Sequence, residues 1–393
     1  MKKIIKKLLL FSGYKISKIR ISKTDKILRN VFNSNFQKNV LISYLTEPFI
    51  KGINNSHTNL TECFMAAEIF HELGYLVDVI YLDDTESDID YSKYKVVYGQ
   101  SIAFEKSFLS KDTGKIKKIF YSTGTNPFYF QKVSGRCVYD FYKKTGLMLP
   151  ESGRMFNSVG PIQTICSDAI IVLGNNFSKN TYKEVNSLLD CYSLNLFYFD
   201  VYDIDLSKKE YSKAKKHFLW FGSSGLLCKG LGLCIDIFSQ RDDIVLHICG
   251  SSIYETKFWD YYRPIVNDSK NIIDHGFVDI KSDMFQQIMN TCAFALFPSV
   301  SEGGAGALLN VMANGGLIPI ATKGCSLDID EFGFVIEEVS YQNVERAIND
   351  ALRLDEEVLM EQSKLTKLTV RSVYTLVNYK KNLKKIITVN LAK

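Results

Sequence analysis

The sequence lacks the features that would mark a secreted, metal-dependent or membrane-spanning protein. No apolar run approaches the ~20 residues that a bilayer crossing needs. The only early hydrophobic stretch, residues 8–11, is shorter than the ~7 to 15 residues of a secretory signal core. The nine cysteines are odd in number, include no C-x-x-C pair and mostly sit in apolar runs. That argues against a disulfide framework and for reduced core thiols on the cytoplasmic side. Five histidines without an H-x-x-x-H pair leave no zinc motif. Internal repeats and low-complexity segments are absent too, and a net charge of +5 is too small to direct the chain at nucleic acid.

What is present suffices for two ordinary domains: 393 residues, 46% of them hydrophobic. Charge is concentrated at the start. Lys2, Lys3, Lys6, Lys7, Lys15, Lys18, Arg20, Lys23, Lys26 and Arg29 are opposed there only by Asp25. Over residues 2–11 (KKIIKKLLLF) the apolar and basic positions fall on opposite helix faces. This is the pattern of a helix lying on an anionic membrane, and equally that of a basic N-terminus docked on its own domain. Residues 39–46 read as the first core strand, 58–73 as a helix ended by Gly74, and 76–82 as the next strand, which together open a doubly wound domain. Short strands follow at 95–98, 118–121, 169–173 and 196–201. His57 stands before the first helix, where it can look into the ligand crevice or simply cap the helix. The polar loop STGTNP holds Thr123, Thr125 and Asn126. Beyond it Arg136, Tyr139, Tyr142 and Arg154 mix cations with aromatics, as a site for an anionic or sugar acceptor would; snorkelling surface residues give the same mixture. The charge-rich segment 202–216 reads as the interdomain connection.

The chemistry is expected in residues 298–319, PSVSEGGAGALLNVMANGGLIP. An apolar strand (292–297) runs into a glycine turn, then a helix over 307–313 that Gly315 and Gly316 stop. Without side chains at Gly303, Gly304 and Gly306 a ligand can approach the backbone, and the helix N-terminus favours an anion. Glu302 stands at the mouth of the turn, where a carboxylate suits sugar hydroxyls or a developing cation. Residues 217–229, HFLWFGSSGLLCK, repeat the logic with Lys229, giving two candidate phosphate sites in one domain. Three D-x-D triplets occur, at Asp88 to Asp90, Asp203 to Asp205 and Asp328 to Asp330, but none follows a core strand as a metal site would require.

Four pieces, Gly222 followed by Lys229-Gly230, LHICG at 246–250, NIIDHGFV at 271–278 and the 298–319 stretch, resemble in order and spacing the group 1 (family 4) glycosyltransferases of the GT-B fold. The resemblance covers most of the second half. It implies an α/β architecture of two Rossmann-like, doubly wound domains facing across a cleft. The expected division is an acceptor-side domain over 1–210 with a basic N-terminal helix over 1–30, a nucleotide-sugar domain over 211–370, and a C-terminal helix over 371–393 crossing back. It further implies that Gly222, Ser223, Ser224, Lys229, Gly250, Val278, Glu302, Gly303, Gly304, Ala305, Gly306 and Asn310 hold the donor, with Glu302 and Lys229 catalytic. His57, Thr123, Asn126 and Arg136 are the acceptor-side candidates. The chain departs from the family where a second Glu is Asn310, where an Arg is Ser223, and where a first-domain His is missing from YSTGTNP.

The expected function is a retaining, metal-independent transfer of a sugar from a nucleotide-diphosphate sugar to a glycan or lipid-linked glycan, as in surface polysaccharide biosynthesis. The nucleotide sugar is a co-substrate and no cofactor or nucleic acid is involved. The site of action is the cytoplasm or the inner membrane face, touched through residues 1–30. The rival expectations are a non-catalytic partner subunit or glycan-binding protein, and a nucleotide-sugar epimerase of the same fold.

Overall fold

The computed structural model describes residues 27–54, 57–111, 113–154, 161–250 and 254–393. The expected N-terminal helix and its membrane contact lie outside them, apart from residues 27–30. These are not helical: Leu28 pairs antiparallel with Val79, and Arg29 reaches Asp78 at 2.8 Å.

Two six-stranded sheets, all their strand pairs parallel, carry the chain. Strands covered on both faces read as unbroken apolar runs, and β5 (Ala169–Leu173, AIIVL) is buried at every position. The first sheet holds β1 (Lys38–Tyr44), β2 (Tyr75–Tyr81), β3 (Val96–Gly99), β4 (Lys117–Ser122), β5 and β6 (Cys191–Leu194) in the order β2-β1-β3-β4-β5-β6. The second holds β7 (His217–Phe221), β8 (Val245–Cys249), β9 (Ile272–Asp274), β10 (Phe294–Phe297), β11 (Ile318–Thr322) and β12 (Phe334–Ile336) in the order β12-β11-β10-β7-β8-β9. The order reverses between β1 and β3 in one sheet and between β7 and β10 in the other. Strand-to-helix turns diverge at those points, and a crevice opens beyond the carboxyl ends of the strands.

Helix α1 (Thr58–Glu72) follows the first crevice turn, and α2 (Pro127–Thr145) follows β4. In the second domain come α3 (Leu231–Phe238), α4 (Thr256–Asp268), α5 (Asp283–Thr291), α6 (Gly306–Gly315), α7 (Tyr341–Leu352), α8 (Glu356–Val373) and α9 (Leu376–Ala392). The last helix crosses back as expected. Its Tyr379 hydroxyl lies 2.8 Å from that of Tyr121 on β4, and Lys380 reaches Glu68 and Glu72 of α1 at 2.6 and 2.8 Å.

The stretch 196–201 is not the strand its apolar content suggests. The first sheet ends at Leu194, and the chain then crosses to the second domain, its amides taken by two asparagines of α6. Asn310 Oδ1 accepts from Phe199 N at 2.8 Å, and Asn314 Oδ1 accepts from Val201 N and Tyr202 N at 3.0 and 2.8 Å. The aromatic character serves the returning helix instead: the Phe197 and Tyr379 ring centroids are 5.0 Å apart.

Candidate functional site

A cleft of about 740 Å³ lies where the two sets of turns face each other. Its second-domain wall comes from the turns after β7 and β10, which are joined to each other. Val300 N donates to Cys228 O at 2.9 Å, while the Trp220 indole of β7 holds the first turn itself by donating to Lys229 O at 3.0 Å. Gly230, at φ +71°, lets the first turn lie directly on Pro298, since a Cβ there would be 2.5 Å from the proline Cγ. This packing sets Lys229 beside Glu302. Their Nζ and Oε1 atoms are 3.2 Å apart, with side chains only 9% and 12% exposed.

The Glu302 carboxylate is held from several sides. Ser299 Oγ donates to Oε1 at 2.9 Å, and the guanidinium of Arg154 stands 3.9 Å away. Burial alone would push this carboxyl up; Lys229, Arg154 and the Ser299 hydroxyl outweigh burial and keep it below the usual carboxylate range. An ionised carboxylate flanked by two cations can grip sugar hydroxyls while the cations face an anion.

The expected donor residues gather on this wall: Gly222, Ser223, Ser224, Lys229, Gly250, Val278, Glu302, Gly303, Ala305, Gly306 and Asn310 all line the cleft. Details differ from the expectation. The helix after this turn begins at Leu231, behind Lys229, so residues 222–225 themselves are not a helix N-terminus. The turn's Gly225 and Leu226 amides are already taken by the Glu255 carboxylate, at 2.6 and 3.1 Å. The glycines after Glu302 admit protein as much as ligand. A Cβ on Gly303 would lie 2.0 Å from the Thr123 carbonyl oxygen, and Gly304, which does not line the cleft, packs on Leu196. Asn310 Nδ2 donates to Gly306 O at 2.9 Å, so both ends of its amide are engaged by the chain itself.

From the first domain His57 and Thr123 reach the cleft, the former while its Nδ1 accepts from Asn59 N at 3.2 Å as a helix cap. Two acceptor-side candidates do not. Asn126 is buried and caps α2 through Phe128 N at 2.8 Å, and Arg136 points outward on α2, paired with Asp140 at 2.8 Å. Both were placed by sequence proximity to the crevice loop, and helix geometry turns them away. Arg154, grouped in the sequence with Arg136, Tyr139 and Tyr142 as an acceptor-type mixture of cations and aromatics, does line the cleft, whereas Glu62, which also lines it, and Glu255, which holds its turn, were not assigned from the sequence. Glu62, 2% exposed, lines the first-domain wall and accepts from the Tyr44 and Tyr121 hydroxyls at 3.0 Å each. For Glu62 the available signal is a carboxylate at an inward position of α1; for Arg154 the cation-aromatic mixture pointed to a ligand, but not to a place beside Glu302.

The domains touch closely around the cleft. The Thr125 and Ser301 hydroxyls are 2.6 Å apart, Asn175 Nδ2 donates to Asp328 at 2.7 Å, and Lys144 on α2 pairs with Asp236 on α3 at 2.5 Å. None of the D-x-D triplets lines the cleft. Among the described residues no group of three or more His, Cys, Asp or Glu is placed to hold a metal ion, and no helix is long and apolar enough to cross a membrane.

No protein-family model matches the sequence, and no curated protein matches it. Solved structures do. HepE from Anabaena, in complex with UDP and glucose, aligns at 11% identity over 90% of this chain and 100% of HepE, with a TM-score of 0.58. A glycosyltransferase from Rickettsia africae aligns at 12% identity over 91% of this chain and 99% of its own, with a TM-score of 0.56. The lipopolysaccharide outer core galactosyltransferase WaaB in its apo form aligns at 12% identity over 90% of this chain and 99% of its own, with a TM-score of 0.54. The chain thus has the GT-B architecture: two Rossmann-like domains facing across a cleft.

Proposed function

We propose that the protein is a retaining, metal-independent glycosyltransferase that moves a sugar from a nucleotide-diphosphate sugar to a glycan or lipid-linked glycan, in surface polysaccharide synthesis on the cytoplasmic side of the membrane. The observation that carries this reading is the buried Lys229–Glu302 pair at the switch point of the second sheet, on a cleft shared with the first domain. Similar folds support the donor class, since HepE was solved with UDP-glucose and WaaB is a galactosyltransferase.

Breaking the bond from the sugar C1 to the diphosphate puts positive charge on the ring and negative charge on the leaving oxygen. Lys229 faces the leaving phosphate, and Glu302 holds the sugar through its hydroxyls. The acceptor hydroxyl attacks C1 from the face the phosphate leaves, and its proton passes to the departing phosphate oxygen. The balance is complete without a protein nucleophile. The experiment is incubation with a panel of nucleotide sugars and glycan acceptors, read by mass spectrometry of products. Transfer or slow donor hydrolysis by the wild-type chain, abolished in Glu302→Ala, is expected. Release of an epimerised donor with no acceptor present would replace transfer with epimerisation.

A non-catalytic partner subunit is the second reading, favoured by one observation: Asn310, standing where the resemblance has a carboxylate, is a neutral amide that already bonds its own chain through both its oxygen and its nitrogen. A purified chain that neither transfers nor hydrolyses any donor, yet binds a glycan, would establish it.

A further inference from the structure

We propose that Arg154, from the first domain, is the second phosphate-binding cation of the donor site, so that the diphosphate itself draws the two domains together. The inference rests on the transfer reading above and adds to it a residue and a closing force. Lys229 is largely neutralised by Glu302 at 3.2 Å and is 9% exposed. Arg154 is farther from the same carboxylate, 3.9 Å, and its side chain is 39% exposed. Two cations around one carboxylate leave a net positive charge, and the more accessible share of it lies on Arg154 at the cleft wall.

Arg154 reaches this place only through a gap made for it. Its side chain runs across Gly225, where an added Cβ would lie 2.1 Å from the arginine Cδ and 2.7 Å from its Cγ. Its guanidinium also lies over the Phe130 ring of α2, 5.6 Å from the centroid. The residues before it are fixed to the turn that carries Lys229: Cys228 N donates to Ser152 O at 3.4 Å, and the Cys228 thiol reaches Gly153 O at 3.0 Å. The cation therefore enters the donor site from the opposite domain, and it leaves if the domains part. The need for it is visible in the turn. Glu255 occupies the Gly225 and Leu226 amides, so those backbone donors are withdrawn from a phosphate and side-chain charge takes their place.

The test is calorimetric titration with UDP and UMP, with the diphosphates and monophosphates of adenosine and guanosine alongside. Wild type is expected to prefer the diphosphate. Arg154→Ala is expected to weaken diphosphate binding roughly tenfold or more while changing monophosphate binding less than about threefold. Arg154→Lys, which keeps the charge, recovers part of the loss. Gly225→Ala closes the gap and reproduces the Arg154→Ala pattern, and the double variant shows no further loss. Small-angle scattering is expected to show compaction by UDP in wild type that is absent in Arg154→Ala. An unchanged ratio of diphosphate to monophosphate affinity in Arg154→Ala, full additivity in the double variant, or equal compaction in both proteins would overturn the inference and leave the transfer reading standing. A wild-type protein that binds no nucleotide would overturn both.

Discussion

Replacing Lys229 with methionine separates what the buried pair does for stability from what it does for the ligand. At 3.2 Å and an effective dielectric of about 20, the Coulomb attraction between Lys229 and Glu302 is about 5 kcal/mol before the cost of desolvation. Removing one member of a buried pair typically costs about 3–5 kcal/mol, because the other charge is left buried without compensation. Here Arg154 and the Ser299 hydroxyl remain beside the carboxylate, so the low end, about 3 kcal/mol, is expected. The double variant Lys229→Met/Glu302→Gln removes both charges and should recover most of that loss, since a neutral pair of similar volume avoids the desolvation cost. Neither variant should bind a nucleotide diphosphate as wild type does. Urea unfolding followed by tryptophan fluorescence reads the effect cleanly. Both tryptophans, Trp220 and Trp259, lie in the second domain, and the Trp220 indole donates to the Lys229 carbonyl oxygen. With a slope of about 2 kcal/mol per molar urea, the single variant should lower the midpoint by about 1.5 M. A double variant as unstable as the single one, or a single variant as stable as wild type, would refute the reasoning that the carboxylate is held charged and dry.

Three other outcomes follow from the same geometry. His217 on β7, His247 on β8 and His275 just past β9 form a hydrogen-bonded row, at 2.8 and 3.0 Å, and burial with mutual repulsion lowers His247 to about 4. The unfolded chain therefore binds more protons between about pH 6.5 and 4, and the second domain should lose about 3 kcal/mol as pH falls through that window; His247→Gln should flatten the dependence in pH-scanned urea melts. Asn314→Ala leaves the Val201 and Tyr202 amides of the half-buried crossing segment without their acceptor, and a loss of about 2 kcal/mol is expected in the same unfolding assay. Gly303→Ala should force the loop at Thr123 away from the second domain and break the Thr125–Ser301 contact, which scattering would show as a larger radius of gyration and which kinetics would show as a raised donor KM.

The sequence by itself determined the parallel sheets, the glycine turn leading into α6, and the two turns that carry Lys229 and Glu302. These are local properties: apolar runs of strand length, glycines where backbones meet, and helical spacing after them. Only the tertiary structure decided which side chains share the cleft. Asn126 and Arg136 sit near it in sequence, but the cap and the outward face of α2 take them away. Arg154 comes to it from the other domain and Glu255 braces its Gly225 turn from a neighbouring loop, and no periodicity encodes those meetings. Residues 196–201 were read by type as a strand, whereas the Phe199 amide is taken by Asn310 of α6. The physical reason is one of range. Backbone preference and amphipathic spacing act over a few residues, while charge pairing and amide satisfaction are settled by whatever the folded chain brings within 3 to 4 Å.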